Sequence, residues 1–432
     1  MAQSGYTGSM DALTSEAPVV KRRSRFLIGA LLAAGLLATA AGGVHGYATQ
    51  DHGPAATAGA DTATGEQQAL APHLVQLRLR GEGFALGQRH GALLRDDIQF
   101  MVKYLQRELL HDSAMARDAA LLKAWQLDRH IPERFRQELR GVAEGAGVAY
   151  GDVLLINTYD DLMHLLGCSS AVLLPSADEA PAARGTAAIT PLRHARNLDY
   201  PIGELARHKV VFDIETHGTR LRTVGFPGYI GVLTGMSSHG LGLSSHTSKA
   251  KQDGVGVPSG ILYRQVLEEA ATLEQAVALL RGSARTIGNN LALSDAAHGQ
   301  ALAVELSATR LATRAPKDGR LYVTNHFQSA PMQPQQVAAF YQPGSGSVAR
   351  VQCLEASLPP GKALSVAAVQ KALSQEGGRG GPGWRTPANR GTIQSVVMEP
   401  ATGHLHVATG ATIPVTRGGY LELPGLWPAT SP

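Results

Sequence analysis

Leu165-Leu166-Gly167-Cys168-Ser169-Ser170-Ala171-Val172-Leu173-Leu174 is the stretch that decides how the rest of the chain is read. A small residue precedes a cysteine, two small hydroxyl residues follow, and an apolar run of strand type begins. A second strand-like stretch, Thr190 to Tyr200, ends in His194-Ala195-Arg196-Asn197-Leu198-Asp199-Tyr200. A thiol at the head of one strand, with an arginine and a carboxylate at the end of the next, places a nucleophile beside charged groups. Cysteine chemistry runs through the thiolate, which positive neighbours favour. From this pattern alone Cys168 is either that nucleophile or a buried structural cysteine.

At 432 residues, with 44% hydrophobic and 17% charged residues, the chain can bury a large core in one or two domains. The net charge is +4, and residues 1–25 carry half of it through Lys21, Arg22, Arg23 and Arg25 against Asp11 and Glu16. No basic stripe interleaved with aromatics is present, so nucleic acid is not an expected partner. The two cysteines, Cys168 and Cys353, are too few for a disulfide framework. One bridge between them is conceivable and would consume the nucleophile. Cys353 itself reads as a small core residue in an apolar helical register.

Residues 1–25 read as a cytoplasmic arm, and 26–44 as an uncharged apolar segment behind a basic flank. That order sends the remainder of the chain across the membrane. The segment is either a signal peptide cut near Ala38-Thr39-Ala40 or an uncleaved anchor; its length favours an anchor facing the periplasm or cell exterior. Residues 45–72 read as an Ala/Gly/Thr-rich linker, and the folded part is expected from His73.

Val75-Gln76-Leu77-Arg78-Leu79 alternates as a strand, Gly81 to Gly91 turns into a helix, and 92–147 reads as several helices. Beyond Cys168, strands are expected at 168–175, 186–195, 209–215, 219–225, 230–235 and 240–246. Helices follow at 260–271 and 273–282, the second capped by Thr272. Further strands fall at 289–295, 300–307 and 320–325, helices at 334–341 and 347–356, a Gly-rich loop at 376–383, and closing strands at 392–398 and 404–409. Blocks of strands and helices without strict alternation predict an α+β fold of stacked antiparallel sheets covered by helices.

There is no Gly-x-Ser-x-Gly elbow, phosphate loop or His-Glu-x-x-His, and no metal or organic cofactor is expected. Asp160-Asp161-x-x-His164 reads as a solvated helical face before it reads as a metal site.

Several ordered pieces between about Leu77 and Gly410 carry a resemblance. They are Gly87-x-x-His90-Gly91, Glu138 to Val148, Gly167-Cys168-Ser169-Ser170, Arg196-Asn197-Leu198-Asp199, Asn289-Asn290-x-Ala292-x-x-Asp295, Val304-Glu305, Thr324-Asn325-His326 and Thr392-Ile393-x-Ser395-Val396-Val397. Together the chain resembles the cysteine branch of the N-terminal-nucleophile hydrolases. It looks nearest the isopenicillin-N acyltransferase group, with acid ceramidase, N-acylethanolamine acid amidase and bile salt hydrolase more distant.

The resemblance implies a four-layer αββα sandwich and a self-cleaving precursor. Cys168 would attack the Gly167 carbonyl, splitting the chain into an alpha part (73–167) and a beta part (168–432) that stay associated. The freed α-amine of Cys168 could serve as base for its own thiol. By family position Asp199 would hold that amine, Arg196 would favour thiolate, Asn325 would donate to the oxyanion, and Arg350 would be a further active-site arginine. Ser244-Ser245-His246-Thr247 departs from the family pattern, and Ser245, His246 and Thr247 are expected on the substrate side.

The expected activity is cleavage or transfer of the acyl group of a small N-acyl amide through a thioester on Cys168. The alternatives are an uncleaved thiol esterase or lipid hydrolase, and a tethered ligand-binding module without catalysis.

Overall fold

The structure, a computed structural model, describes residues 63–164, 167–175, 192–338, 341, 345–377 and 383–429. The expected arm (1–25) and apolar segment (26–44) lie outside the described residues. No helix among those described is long and apolar enough to cross a membrane.

The chain opens with strands β1 (Thr64–Ala71) and β2 (Leu74–Arg80), followed by helices α1 (Gly83–Leu93), α2 (Arg95–Glu108), α3 (Ala114–Asp128), α4 (Glu133–Ala146) and α5 (Tyr150–Met163). Next come β3 (Cys168–Leu173), β4 (Arg193–Asp199), β5 (Lys209–Thr216), β6 (Thr219–Gly225), β7 (Thr234–Ser237) and β8 (Leu241–Thr247). Helices α6 (Ser259–Glu269) and α7 (Leu273–Gly282) lead to β9 (Asn289–Asp295), β10 (Gln300–Leu306), β11 (Leu311–Arg314) and β12 (Arg320–Val323). Helices α8 (Gly346–Ser357) and α9 (Val366–Leu373) precede β13 (Thr392–Glu399), β14 (His404–Ala408) and β15 (Tyr420–Leu423).

These strands form a nine-stranded sheet, ordered β1-β2-β5-β6-β7-β8-β9-β10-β11, and a six-stranded sheet, ordered β12-β3-β4-β13-β14-β15. Side-chain alternation along each strand builds the layers. Val210, Phe212 and Ile214 of β5 pack under the helices with Leu86, Leu139 and Ile261, whereas Val211 packs with Val396 and Met398 of the other sheet. Val172 meets Ala292 and Ala303 between the sheets, and Ala171 and Leu173 meet Leu354, Val369 and Leu373 of α8 and α9 outside them. The result is the expected α+β fold with two sheets between helical layers, αββα.

Two of the quoted sequence pieces have a packing cause. A Cβ on Gly87 would lie 1.9 Å from the Glu138 carbonyl oxygen, and one on Gly141 would lie 2.0 Å from that of Phe84. Backbones of α1 and α4 therefore touch, which only glycine permits. Thr272 caps α7 as expected, its hydroxyl accepting from the Gln275 amide.

Several expectations need correction. Residues 64–71 of the expected linker (45–72) form β1, paired antiparallel with β2, so ordered chain precedes His73. The sheets are not wholly antiparallel, since β2 runs parallel to β5. Of the strand expected at 186–195, residues 186–191 lie outside the described residues and β4 runs on to Asp199, while the strand expected at 230–235 is β7 at 234–237. Of the helix expected at 334–341, residues 339–340 lie outside the described residues, and its start is instead a short 3-10 turn, Gln333–Gln335, containing a proline. Helix α9 and strands β11 and β15 were not anticipated.

Candidate active site

Cys168 is the first residue of β3, and its neighbour β4 pairs Cys168 with Leu198 and Ser170 with Arg196. Paired residues share a face, so Cys168, Ser170 and Arg196 all look into the space between the sheets. Cys168 is buried at 2% exposure and is a free thiol, as is half-buried Cys353. The bridge that would have consumed the nucleophile is absent, and Cys353 lies on the rim of α8, outside the core it was expected to join.

Arg196 reaches the sulfur. Its Nη2 donates to Cys168 Sγ at 3.3 Å and to the Ser245 carbonyl at 2.7 Å, while Nη1 donates to the Leu233 carbonyl and the Thr234 hydroxyl. A guanidinium fixed on three sides is a rigid positive neighbour for the sulfur. Burial pushes the Cys168 thiol up from its ordinary value, Arg196 opposes that, and Asp199 adds to it. With residue 168 still in mid-chain, the sulfur therefore favours the neutral thiol, unlike the thiolate expected from Arg196 alone.

Asp199 does not bind the Cys168 nitrogen. Its carboxylate accepts from Asn389 Nδ2 at 2.8 Å and from the Thr392 hydroxyl at 2.7 Å. Its backbone N–H instead donates to the Gly167 carbonyl oxygen at 2.7 Å. Gly167 has φ +143°, and a Cβ there would lie 2.7 Å from the Asp199 carbonyl oxygen and 3.0 Å from Trp384. Burial raises the Asp199 carboxyl above its usual range, against the pull of Arg350, Thr392 and Asn389.

The Cys168 backbone N–H donates to Asn325 Oδ1 at 2.8 Å. Arg350 Nη2 donates to the same oxygen at 2.5 Å and to the Cys168 carbonyl at 3.3 Å, and Nη1 donates to the Trp384 carbonyl at 2.7 Å. These donors fix the orientation of the Asn325 amide, and its Nδ2 donates to the Thr247 carbonyl at 2.9 Å. One amide hydrogen of Asn325 is left over. Cys168, Arg196, Asn325 and Arg350 thus form one connected buried group, with Asp199 joined to it through Gly167.

The expected substrate-side residues sit differently. The Ser245 and Thr247 carbonyls hold Arg196 and Asn325. His246 is fully buried with both ring nitrogens bonded, Nδ1 to the Asn290 carbonyl at 3.0 Å and Nε2 to the Ser170 hydroxyl at 2.7 Å. Its side chain lies between the sheets. Nor are Asp160 and Asp161 on a solvated face: both are buried. Asp160 accepts the Tyr200 hydroxyl at 2.6 Å, and Asp161 accepts the Ser259 amide at 3.0 Å. Among the described residues no group of three or more His, Cys, Asp or Glu is arranged to hold a metal ion. Asn389, which secures Asp199, went unnoticed in the sequence. An Asn just past a Gly-rich loop carries no signal of its partner 190 residues earlier.

The chain matches the family described as acyl-coenzyme A:6-aminopenicillanic acid acyl-transferase over residues 192–413. The match contains Arg196, Asp199, Asn325 and Arg350; Cys168 precedes it. An uncharacterized protein of Archaeoglobus fulgidus is 27% identical over 235 residues, 49% of this chain and 39% of its own length. An N-acylethanolamine-hydrolyzing acid amidase of Caenorhabditis elegans is 26% identical over 209 residues, 44% of this chain and 56% of its own length. The chain therefore spans 39% and 56% of the length of these two curated relatives. A penicillin V acylase of Agrobacterium tumefaciens is a solved structure with 17% identity and a TM-score of 0.40, covering 60% of this chain and 86% of that one.

Proposed function

Because the chain belongs to the acyl-coenzyme A:6-aminopenicillanic acid acyl-transferase family, we propose that it is a self-cleaving cysteine amidase or acyltransferase whose nucleophile is Cys168. The observation that carries this reading is the Cys168 residue itself, with its sulfur on Arg196 and its nitrogen on Asn325.

In the first reaction the Cys168 sulfur attacks the Gly167 carbonyl carbon. The carbonyl oxygen gains negative charge where the Asp199 N–H already points, a donor fixed before the reaction begins. The C–N bond breaks, its electrons go to the Cys168 nitrogen, which takes up the thiol proton, and a thioester to Gly167 remains. Water hydrolyses the thioester, giving a Gly167 carboxylate and a Cys168 that now begins a chain. Its amine, with a reference pKa near about 8, replaces the amide that had no basicity, and can take the thiol proton in later turnovers.

In the second reaction a small N-acyl amide occupies the position vacated by the Gly167 carbonyl. The sulfur forms an acyl-thioester, the spare hydrogen of Asn325 Nδ2 meets the oxyanion, and water or an amine accepts the acyl group. An apolar cleft lined by Val102, Leu105, Leu109, Leu155, Tyr159 and Met163 supports an apolar acyl group. Tyr159 in its lining packs edge-on to Tyr200, the residue after Asp199, at 5.9 Å. We also place the folded part outside the cytoplasmic membrane, tethered by residues 26–44; carbonate extraction of membranes tests that.

The deciding experiment is mass spectrometry of the purified protein after reaction with a thiol-directed acylating probe. Two fragments split before Cys168, with the probe on the second, and a single unlabelled chain for Cys168→Ala, are the expected results. An uncut parent chain, or a probe found only on Cys353, overturns the reading.

A further inference from the structure

Between the sheets lies a line of five fully buried polar side chains: Ser294, His194, Ser244, Ser170 and His246. Adjacent members are 3.0, 2.8, 2.8 and 2.7 Å apart. The line ends on the Asn290 carbonyl, 3.0 Å from His246 Nδ1.

With both rings neutral, that end sets the direction of every bond in the line. A carbonyl only accepts, so His246 Nδ1 carries the hydrogen and Nε2 of the neutral ring accepts from Ser170. Ser170 must then accept from Ser244, Ser244 from His194 Nε2, and His194 Nδ1 from Ser294. All bonds then point one way. Burial, the main cause, pushes the His194 ring down to about 3 and that of His246 further below its ordinary value, in keeping with this assignment.

The line also closes a ring around the nucleophile. Asn290 Nδ2 donates to the Thr324 carbonyl at 2.8 Å and the His326 carbonyl at 2.9 Å, gripping Asn325 from both sides. Asn325 in turn holds the Cys168 nitrogen, and Ser170 is two residues further along β3. The path from Cys168 to Ser170, His246, Asn290, Asn325 and back to Cys168 is therefore continuous.

We propose that His246 is a positioning residue for the Cys168 reaction: it ties the nucleophile's strand, through Ser170, to the Asn290 segment that grips Asn325, and so sets the distance between Cys168 and Asn325. The inference rests on reading Cys168 as the nucleophile. Directional bonds can fix such a spacing, whereas apolar contacts between sheets tolerate sliding.

The test compares the full-length parent with His246→Leu, which offers Ser170 no acceptor, and His246→Gln, whose side-chain oxygen restores one. Self-cleavage is followed on denaturing gels, turnover of an N-acyl amide is normalised to titratable thiol, and amide hydrogen exchange is followed over residues 320–330. H246L should lower kcat by about tenfold to a hundredfold, with KM changed by less than about threefold. Exchange around Asn325 should rise by about tenfold, and H246Q should recover most of both losses. Exchange in H246L equal to the parent's, or a turnover loss wholly explained by lost thiol titre, overturns the proposal. If H246L does not fold, Ser170→Ala removes the same bond without adding volume and is judged by the same readouts. A parent that neither cleaves itself nor turns over an amide defeats the functional reading, and the exchange comparison then decides the role of His246 alone.

Discussion

The backbone N–H of Asp199 donates to the carbonyl oxygen of Gly167 at 2.7 Å, so the bond proposed for self-cleavage is already polarised in the uncut chain. Gly167 holds this pose at φ +143°, a region that costs a side-chain-bearing residue of order 1–3 kcal/mol. Gly167→Ala should slow self-cleavage by about tenfold or more through displacement of that carbonyl. The time course of fragment appearance on a denaturing gel measures it, and a parent-like time course rules the arrangement out.

Asn325→Ala removes the spare N–H offered to the oxyanion. Turnover of the cut enzyme should fall by about a hundredfold to a thousandfold, with KM little changed. Steady-state kinetics on an N-acyl amide check this; a raised KM at unchanged kcat would assign Asn325 to substrate binding instead.

Arg264 binds Glu138 at 2.7 Å and Glu268 at 2.8 Å, with all three side chains buried. Glu138 belongs to the part before Cys168 and Arg264 to the part after it, so this pair spans the proposed fragments. Arg264→Ala strands the buried Glu138 carboxylate, leaves Glu268 to Arg134 alone at 3.2 Å, and should cost about 3–5 kcal/mol. Chemical denaturation gives the loss, and size-exclusion chromatography of the cut protein shows whether the fragments separate. A loss below about 1 kcal/mol, the range of exposed pairs, contradicts the burial argument.

Burial raises the Asp160 carboxyl to about 7, with Tyr200 opposing and Asp161 reinforcing the shift. The folded state then holds a proton that the unfolded chain releases near pH of about 4. Between these values folding takes up a proton, so the contribution of Asp160 to stability falls as pH rises and levels off above about 7. Asp160→Asn mimics the neutral form. Its thermal midpoint relative to the parent should therefore improve from pH 5 to pH 8. A difference that is flat or shrinks over that range contradicts the shift.

The sequence was legible where one residue type at one spacing forces an outcome. Cys168 and Arg196 stood out as a thiol and a guanidinium at the ends of successive strand-like stretches, whereas Asn325 was marked only by the family resemblance; the structure brings the three into contact. It was less legible where the answer depends on which way a strand faces. Chain order does not reveal that His246, opposite Asn290 in the pairing of β8 with β9, lies between the sheets with both ring nitrogens bonded. In the uncut chain the Cys168 amide donates to Asn325, and the Asp199 carboxylate accepts from Asn389 and Thr392, partners far apart in sequence. Strand β1 was lost in a small-residue composition that reads as linker, and its pairing with β2 supplies the order its side chains do not. The parallel pairing of β2 with β5 spans five helices and two strands, a distance at which periodicity says nothing.

That pairing bears on how such a protein ages. Strand β2 lies before the proposed cut and β5 after it, so one sheet is woven from both future pieces. An uncut chain finds this arrangement by closing a loop on itself; severed halves must meet by collision and thread a strand into a finished sheet. Once melted, the processed enzyme should stay lost, whereas its unprocessed Cys168→Ala ancestor recovers on cooling, so a molecule's history would be readable from whether it forgives heat.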